Sequence, residues 1–359
     1  MIKYHFNQIL LMVVLTILFI GTGCEHRLLT LPESGTKVFV KVYFNENIRN
    51  VSYGFYNEQV QKPEYYSPEV MRVAFFDEFN NELVTERYLY DYGQDNGGHY
   101  IQGYVNVPEG RYNMVAYNMD TYDTKITFEK FYTMMTAYTD ELSESQSSQI
   151  FKARDYDYIS RSPICIQPDH LFVSNVDGVE ILPADLPKTP DTIKTQEGKI
   201  PMAETLVKTY YMQINVQGVQ YVQSAVALLT GMAGSKTLHD GEMIMDDEKS
   251  IFFSLQNGVE KRSVSEESTI AYATFNTFGK LPHTEGYIEI SFEFNTIYNT
   301  VQTETIKVTD MFETPMVKDN QWIIIDKVIE IKLPEGTEPG GGMQPGVRDW
   351  ETIEGIITI

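Results

Sequence analysis

The chain has 359 residues, with 28 Lys and Arg against 50 Asp and Glu and a formal net charge of −22 at pH 7. A charge of that sign repels phosphate backbones and anionic lipid headgroups alike, which excludes nucleic-acid binding and electrostatic docking on a membrane surface. Aromatics make up 13% of the residues, led by 24 Tyr and 19 Phe, and with Val, Ile and Thr they favour pleated, half-buried strands.

In chain order, the N-terminus comes first. Lys3 is followed by an apolar run from Ile9 to Ile20, interrupted only by Thr16, which is the pattern of a secretory signal. The run is about twelve residues long, against the roughly twenty that a spanning helix needs. It ends in Gly21-Thr22-Gly23-Cys24, which resembles the lipobox of bacterial lipoproteins, with Gly21 where Leu is usual. Residues 1–23 therefore read as a lipoprotein signal peptide and Cys24 as the lipidation site of an outer-membrane, surface-exposed protein. The simpler reading is an ordinary secretory signal with an incidental Cys. Several acyl chains, each stabilised by about 0.8 kcal/mol per buried methylene, make a lasting tether where one chain is marginal. With Cys24 acylated, Cys165 has no disulfide partner, and its setting in Ser162-Pro163-Ile164-Cys165-Ile166 marks a buried strand cysteine.

The body reads as strands. Val38, Val40, Val42 and Phe44 alternate with Lys37, Phe39, Lys41 and Tyr43; Ile288, Ile290, Phe292 and Phe294 share a face opposite Glu289, Ser291 and Glu293; a mixed run holds Ile325, Val328, Ile329 and Ile331. Further strands are predicted near 71–76, 100–107, 112–118, 210–216, 225–230, 251–255, 270–278 and 303–309. Turn residues separate them, as in Asp95-Asn96-Gly97-Gly98 and Pro108-Glu109-Gly110. Gly231-Met232-Ala233-Gly234 reads as a tight turn, and the best helix candidate is 130–141.

About 335 residues beyond the signal exceed what one core usually organises. The prolines at 183, 187, 190 and 201 mark a linker at 183–203 between an N-terminal β-sandwich domain, 24–182, and a C-terminal one, 204–359. A Gly/Pro-rich loop at 334–346 precedes a β-prone closing strand at 347–359, with Trp350, Ile353, Ile356, Ile357 and Ile359. An unpaired strand of this kind invites association. It either closes its own sheet or adds to a partner's sheet, in which case Trp350, Ile353, Ile357 and Ile359 are the partner-binding residues.

No catalytic constellation emerges, and the chain does not read as an enzyme. His26, His99, His170, His239 and His283 stand at no metal-ligand spacing, and no phosphate loop or nucleophile elbow occurs. No metal or other cofactor is implied. Asp246-Asp247-Glu248 and Asp155-Tyr156-Asp157 lack calcium-loop spacing and read as solvated turns. Tyr53-Gly54-Phe55-Tyr56 and Tyr65-Tyr66 read as strand core or as a carbohydrate or protein contact.

Several segments carry a resemblance. Pro108-Glu109-Gly110-Arg111-Tyr112 followed by Ala116-Tyr117-Asn118-Met119-Asp120-Thr121, then Pro168-Asp169-His170-Leu171-Phe172, then residues 224–241 and 270–279, and lastly the glycine-rich loop and Trp-bearing close at 341–359, resemble in order the FimB/Mfa2-related fimbrial lipoproteins of Bacteroidales and their DUF5119-like relatives, within the fimbrillin superfamily. The resemblance implies a mainly β chain of two transthyretin-like, fimbrillin-type sandwich domains. It also implies a role as a fimbrial subunit, anchor or accessory protein, with fimbrial subunits as partners and exposed strand edges as the means of association. Stalk subunits of the superfamily have an N-terminal strand removed by proteolysis; Arg27 lies too near Cys24 to mark one, which favours an anchor. A surface glycan-binding lipoprotein is the alternative.

Overall fold

A computed structural model of the chain describes residues 35–44, 68–152, 162–183, 192–263, 266–282, 288–332 and Trp350. The fold is mainly β. Eight strands form one continuous sheet: β1 (Thr36–Phe44), β2 (Met71–Asp77), β3 (Leu83–Leu89), β4 (Asp91–Asp95), β5 (Gly98–Val107), β6 (Gly110–Asn118), β10 (Phe172–Ile181) and β11 (Met202–Thr205). Their order is β3-β2-β6-β10-β11-β1-β5-β4. Short β11 bridges the halves, antiparallel to β10 and parallel to β1, so the sheet folds over and encloses a core of Val40, Val42, Phe75, Ile101, Met114 and Phe172 among others. The alternation read for β1 holds: Val38, Val40, Val42 and Phe44 are buried and their neighbours face outward.

The second sandwich packs two sheets. One is β16-β17-β12-β20, from β12 (Lys208–Gln217), β16 (Gln256–Ser263), β17 (Glu266–Thr277) and β20 (Trp322–Glu330). The other is β19-β18-β13-β15-β9, from β9 (Ile164–Cys165), β13 (Val222–Ala233), β15 (Glu248–Ser254), β18 (Glu289–Thr296) and β19 (Val301–Lys307). Their inner faces share a core that includes Ile214, Leu229, Phe253, Phe275, Phe292, Phe294 and Ile325. Each such side chain contributes roughly 1.5–3 kcal/mol by leaving water.

Each half covers an outer face of the other. The outer face of β2, β6 and β10, with Phe76, Val115, Tyr117 and Val173, packs on Met135 and Ala137 and on Val207, Ala233, Leu238 and Phe278 of the second half. A three-stranded sheet is shared across the divide: β7 (Thr124–Thr127) and β8 (Thr136–Thr139) come from the first half and β14 (Ser235–Thr237) from the second. Reciprocally, helix α1 (Glu144–Ile150) lies on the outer face of β13 and β15 and β9 extends that sheet beside β15, and on this face Ile150, Phe151 and Ile164 meet Val226, Leu228 and Phe252. Lys152 N donates to Glu293 Oε1 at 2.7 Å, and so the outward face of β18 is buried too.

Four expectations change. The described part of 183–203 does not run free: Ile193 N donates to Phe39 O at 2.9 Å, Tyr43 N donates to Pro201 O at 2.9 Å, and Ile193 enters the first core. The described residues at 142–152 and 162–166, expected in the first sandwich, pack with the second. The helix expected at 130–141 is a 3₁₀ turn at Tyr132–Met134 followed by β8, because Thr133, Thr136 and Thr139 disfavour helix. The α-helix begins instead at Ser143, whose Oγ accepts from Gln146 N while Ser143 N donates to Gln146 Oε1, a reciprocal capping box. Last, Gly231 is not in a turn but at a bulge inside β13, at φ +77°.

Two polar devices fix the first half. Arg72 of β2, buried, pairs with Glu86 and Glu129 and donates to the Tyr117 hydroxyl. Burial works against its charge, but Tyr117, Glu129 and Glu86 more than offset this and raise its pKa. Asp169 holds the turn after β6: its Oδ2 accepts from the backbone N–H of Tyr122, Asp123 and Thr124 at 2.8, 2.5 and 3.0 Å. That accounts physically for the Pro168-Asp169 motif.

Candidate association surface

A sandwich buries its faces but leaves strand edges with unpaired backbone groups, and proteins blunt those edges with charge or brevity. Edge β4 carries Asp91 and Asp95, β3 carries Glu86 and Arg87, and β9 has two residues. Edge β20 differs. It reads Trp322-Ile323-Ile324-Ile325 in its first half, pairs with β12 on one side, and has no described strand on the other.

Edges β20 and β19 face each other across a groove of about 520 Å³ lined by residues 300–304, 327–330 and Lys332. Val301 and Val328 are 39% and 49% exposed on its rim, next to Ile297 and Tyr298 at 47% and 40% in the β18–β19 turn. Four large apolar side chains this exposed at one edge make a patch of the kind that marks association. Gln302, Glu304 and Ile306 of β19 take the inward positions. Glu304 pairs with Lys327. Gln302 Nε2 donates to Glu330 O at 2.8 Å, and Lys332 N donates to Gln302 Oε1 at 3.0 Å. The carboxamide thus occupies the C=O of Glu330 and the N–H of Lys332 at the end of β20. Two residues, Asp326 and Lys327, bulge from the β12–β20 ladder in mid-strand.

Trp350 is placed in the chain's own core, not on the surface. It is 7% exposed; its ring meets Phe294 edge-on at 6.2 Å, and Nε1 donates to Val219 O at 3.3 Å. Phe294 is opposite Gln302 in the β18–β19 ladder, and Val219 follows β12, whose Gln217 is opposite Glu330. Trp350 therefore lies at the groove end marked by Gln302 and Glu330. Ile353, Ile357, Ile359 and Cys24 lie outside the described residues, as do Tyr53, Phe55, Tyr56, Tyr65 and Tyr66.

The chemistry-bearing side chains are engaged elsewhere. Cys165 is fully buried in β9, its Sγ 3.8 Å from Ser250 O, and burial pushes the thiol up to about 12. His99 stacks on Tyr92, His170 is half-buried, and His239 is 2.8 Å from Asp240. Among the described residues no group of His, Cys, Asp and Glu could hold a metal ion. Asp247 accepts from Ser235 Oγ at 2.5 Å and pairs with Lys249. The outer face of β1 and β5 carries a ladder of rings and amines: Lys41 Nζ lies 3.7 Å from the Tyr100 ring centroid and Lys37 Nζ 4.3 Å from that of Tyr104, with Tyr104 tilted against Phe39 at 5.1 Å. Sequence reading located strands near 303–309 and 325–331 but not their juxtaposition. The polar residues at the inward positions of β19 were the available signal.

Comparison with known proteins adds the following. A family described as a domain of unknown function (DUF5119) matches residues 60–254. Fim4B of Bacteroides ovatus, named for fimbrium anchoring, is 24% identical over 308 residues, covering 79% of this chain and 82% of that protein. A Bacteroides ovatus crystal structure titled as an adhesin superposes with TM-score 0.53 and 21% identity over 88% of this chain and 98% of that one. The fimbrial anchor protein Mfa2 of Porphyromonas gingivalis gives TM-score 0.43 and 13% identity over 82% and 90%.

Proposed function

Since the chain belongs to the DUF5119 family, we propose from its relatives and its edge chemistry that it is a fimbrial accessory protein of the cell surface. The relation to Fim4B spans four-fifths of both chains. The observation that carries the reading to a mechanism is the groove between β19 and β20, where β20 has no described strand on its outer side.

In this reading the protein is non-catalytic. Acyl chains on Cys24 hold it in the outer membrane, and the far sandwich offers its β19/β20 edge to a strand of a fimbrial subunit. Main-chain hydrogen bonds along β20 supply affinity, and Val301 and Val328 receive alternate side chains. The absence of an obvious processed N-terminal strand favours an anchor over a stalk subunit. Crosslinking on intact cells tests the reading: recovery of a polymerising subunit joined to residues near Val328 supports it, and recovery of no fimbrial subunit refutes it. Fatty-acid labelling tests the tether, which Cys24→Ala should abolish.

A second reading, glycan binding at the surface, has one observation in its favour, the ring ladder on β1 and β5, since sugar rings stack on such faces. Retardation in a polysaccharide gel that vanishes with Tyr104→Ala would support it.

A further inference from the structure

We propose that the outer face of the shared β7-β8-β14 sheet binds a short stretch of neutral polysaccharide, in a cleft that spans the two halves of the chain. The cleft has a volume of about 580 Å³, within the roughly 300–1,000 Å³ of small-ligand sites. Its floor follows from strand alternation. Ala137 of β8 is buried against the first half, so Thr136 and Tyr138 on either side of it point the other way. Thr127 is opposite Thr136 and Ser235 is opposite Tyr138, and all four line the cleft.

One wall is a ring that packing does not account for. Phe128 follows β7 at φ +55°, a left-handed conformation that a bulky side chain enters at a cost. Burial does not offset that cost, since Phe128 is 56% exposed and lines the cleft. Strain kept where no packing calls for it is a mark of function. From the second half, Ile244 adds a further apolar surface.

The remaining lining groups are charged and already matched. Asp140 pairs with Lys125, and Lys249 Nζ lies 2.6 Å from Glu141 Oε1 and 2.9 Å from Asp247 Oδ1. Asp247 also accepts from Ser235 Oγ at 2.5 Å. A cation finds these acids taken, and an anion meets three carboxylates. A purely apolar ligand would strip water from the hydroxyls of the floor and return no hydrogen bond. A neutral sugar meets each demand. Its C–H face stacks on an exposed ring, its hydroxyls donate and accept as those of Thr127, Thr136 and Tyr138 do, and a paired carboxylate keeps lone pairs to receive them. The ion pairs also hold the polar groups in place before the ligand arrives. Because β7 and β8 come from the first half and β14, Ile244 and Lys249 from the second, the bound glycan bridges the halves. The inference is independent of the ring ladder on β1 and β5 and of the fimbrial reading.

The test is affinity electrophoresis of the detergent-solubilised full chain in native gels containing starch, dextran, mannan or xylan, with polygalacturonate as the charged control. The expected result is retardation by at least one of the four neutral polymers and none by polygalacturonate. Phe128→Gly should weaken retardation about tenfold or more, and Thr127→Val, which keeps the shape and removes the hydroxyl, about threefold. Gly suits the φ at 128, so Phe128→Gly should melt no lower than the parent, which separates lost binding from lost folding; if it melts lower, Thr127→Val decides the matter. Phe79→Ala, at an 82% exposed ring that does not line the cleft, should change nothing. No retardation by any of the four overturns the proposal, as does retardation that Phe128→Gly and Thr127→Val leave intact, or equal retardation by polygalacturonate. Retardation that Tyr104→Ala abolishes and Phe128→Gly does not moves the glycan to the β1–β5 face and overturns it too. If no gel retards the chain but Phe128→Gly abolishes crosslinking to a fimbrial subunit, the cleft is a protein site, and this proposal fails while the fimbrial reading stands.

Discussion

Replacing Asp169 by Ala removes the acceptor that gathers three consecutive backbone N–H groups, those of Tyr122, Asp123 and Thr124, at 2.8, 2.5 and 3.0 Å. Hydrogen bonds to a charged group contribute about 1.5–3 kcal/mol each, and donors left buried cost more than donors that water can reach. Tyr122 is 74% exposed, so water replaces the carboxylate at its N–H. The Asp123 and Thr124 bonds are partly buried, and they set an expected loss of about 2–4 kcal/mol. Asp169→Asn keeps an acceptor of the same shape without the charge and should lose about half as much. Urea unfolding followed by the fluorescence of Trp322 and Trp350 measures both. Each tryptophan is in the second sandwich and Asp169 belongs to the first, so a shift in that signal also requires the two halves to unfold together. An Ala variant within about 0.5 kcal/mol of the parent would refute the reasoning, and so would equal losses for Ala and Asn.

Three further outcomes are expected. In a Cys24→Ala background the Cys165 thiol, pushed up to about 12 by burial, should resist a disulfide reagent at pH 8 until denaturant is added; stoichiometric labelling of the native chain would contradict its placement. Burial lowers the His170 pKa, with Asp169 working against it. The folded state therefore binds that proton less readily than the unfolded state, and the stability involved is complete above about pH 6.5 and lost as pH falls below it. His170→Gln should flatten the stability profile between roughly pH 7 and 5, read by thermal melts across that range. Arg72→Ala should destabilise by about 3–5 kcal/mol, because Glu86 is left buried without its partner; the paired change Arg72→Met with Glu86→Leu should recover most of that loss in the same urea assay.

How much of this was legible in the sequence depends on what covers each strand. The β1 alternation could be read residue by residue because one face meets a core and the other meets solvent. For β18 the inner face, Ile290, Phe292 and Phe294, was equally plain, but Glu293, read as its outward face, is 1% exposed. Its cover comes from residues near 150, and local periodicity carries no record of a segment so distant. The same cause hid the shared β7-β8-β14 sheet and the places of 142–152, 162–166 and 192–205: each is a short element whose partners are distant in sequence. The Ser143 capping box is a local signal that the reading of a helix at 130–141 passed over, while the threonines of 130–141 outweighed the weak periodicity there. The tail residues Trp350, Ile353, Ile357 and Ile359 were singled out by composition alone, and for Trp350 that composition marks a core anchor. The groove itself could not be read, because it arises from two edges about twenty residues apart meeting across a sandwich.

The position of β1 has a mechanical consequence. It lies inside the first sheet, between β5 and β11, with eight of its residues opposite β5 from Thr36↔Val107 to Tyr43↔Tyr100. Where a pull on residue 35 is directed along β1, it meets a strand bonded on both flanks. The bonds on its two flanks then share the load in shear, whereas an edge strand would surrender them one at a time by peeling. A chain strung in this way holds under a steady pull from its N-terminal side.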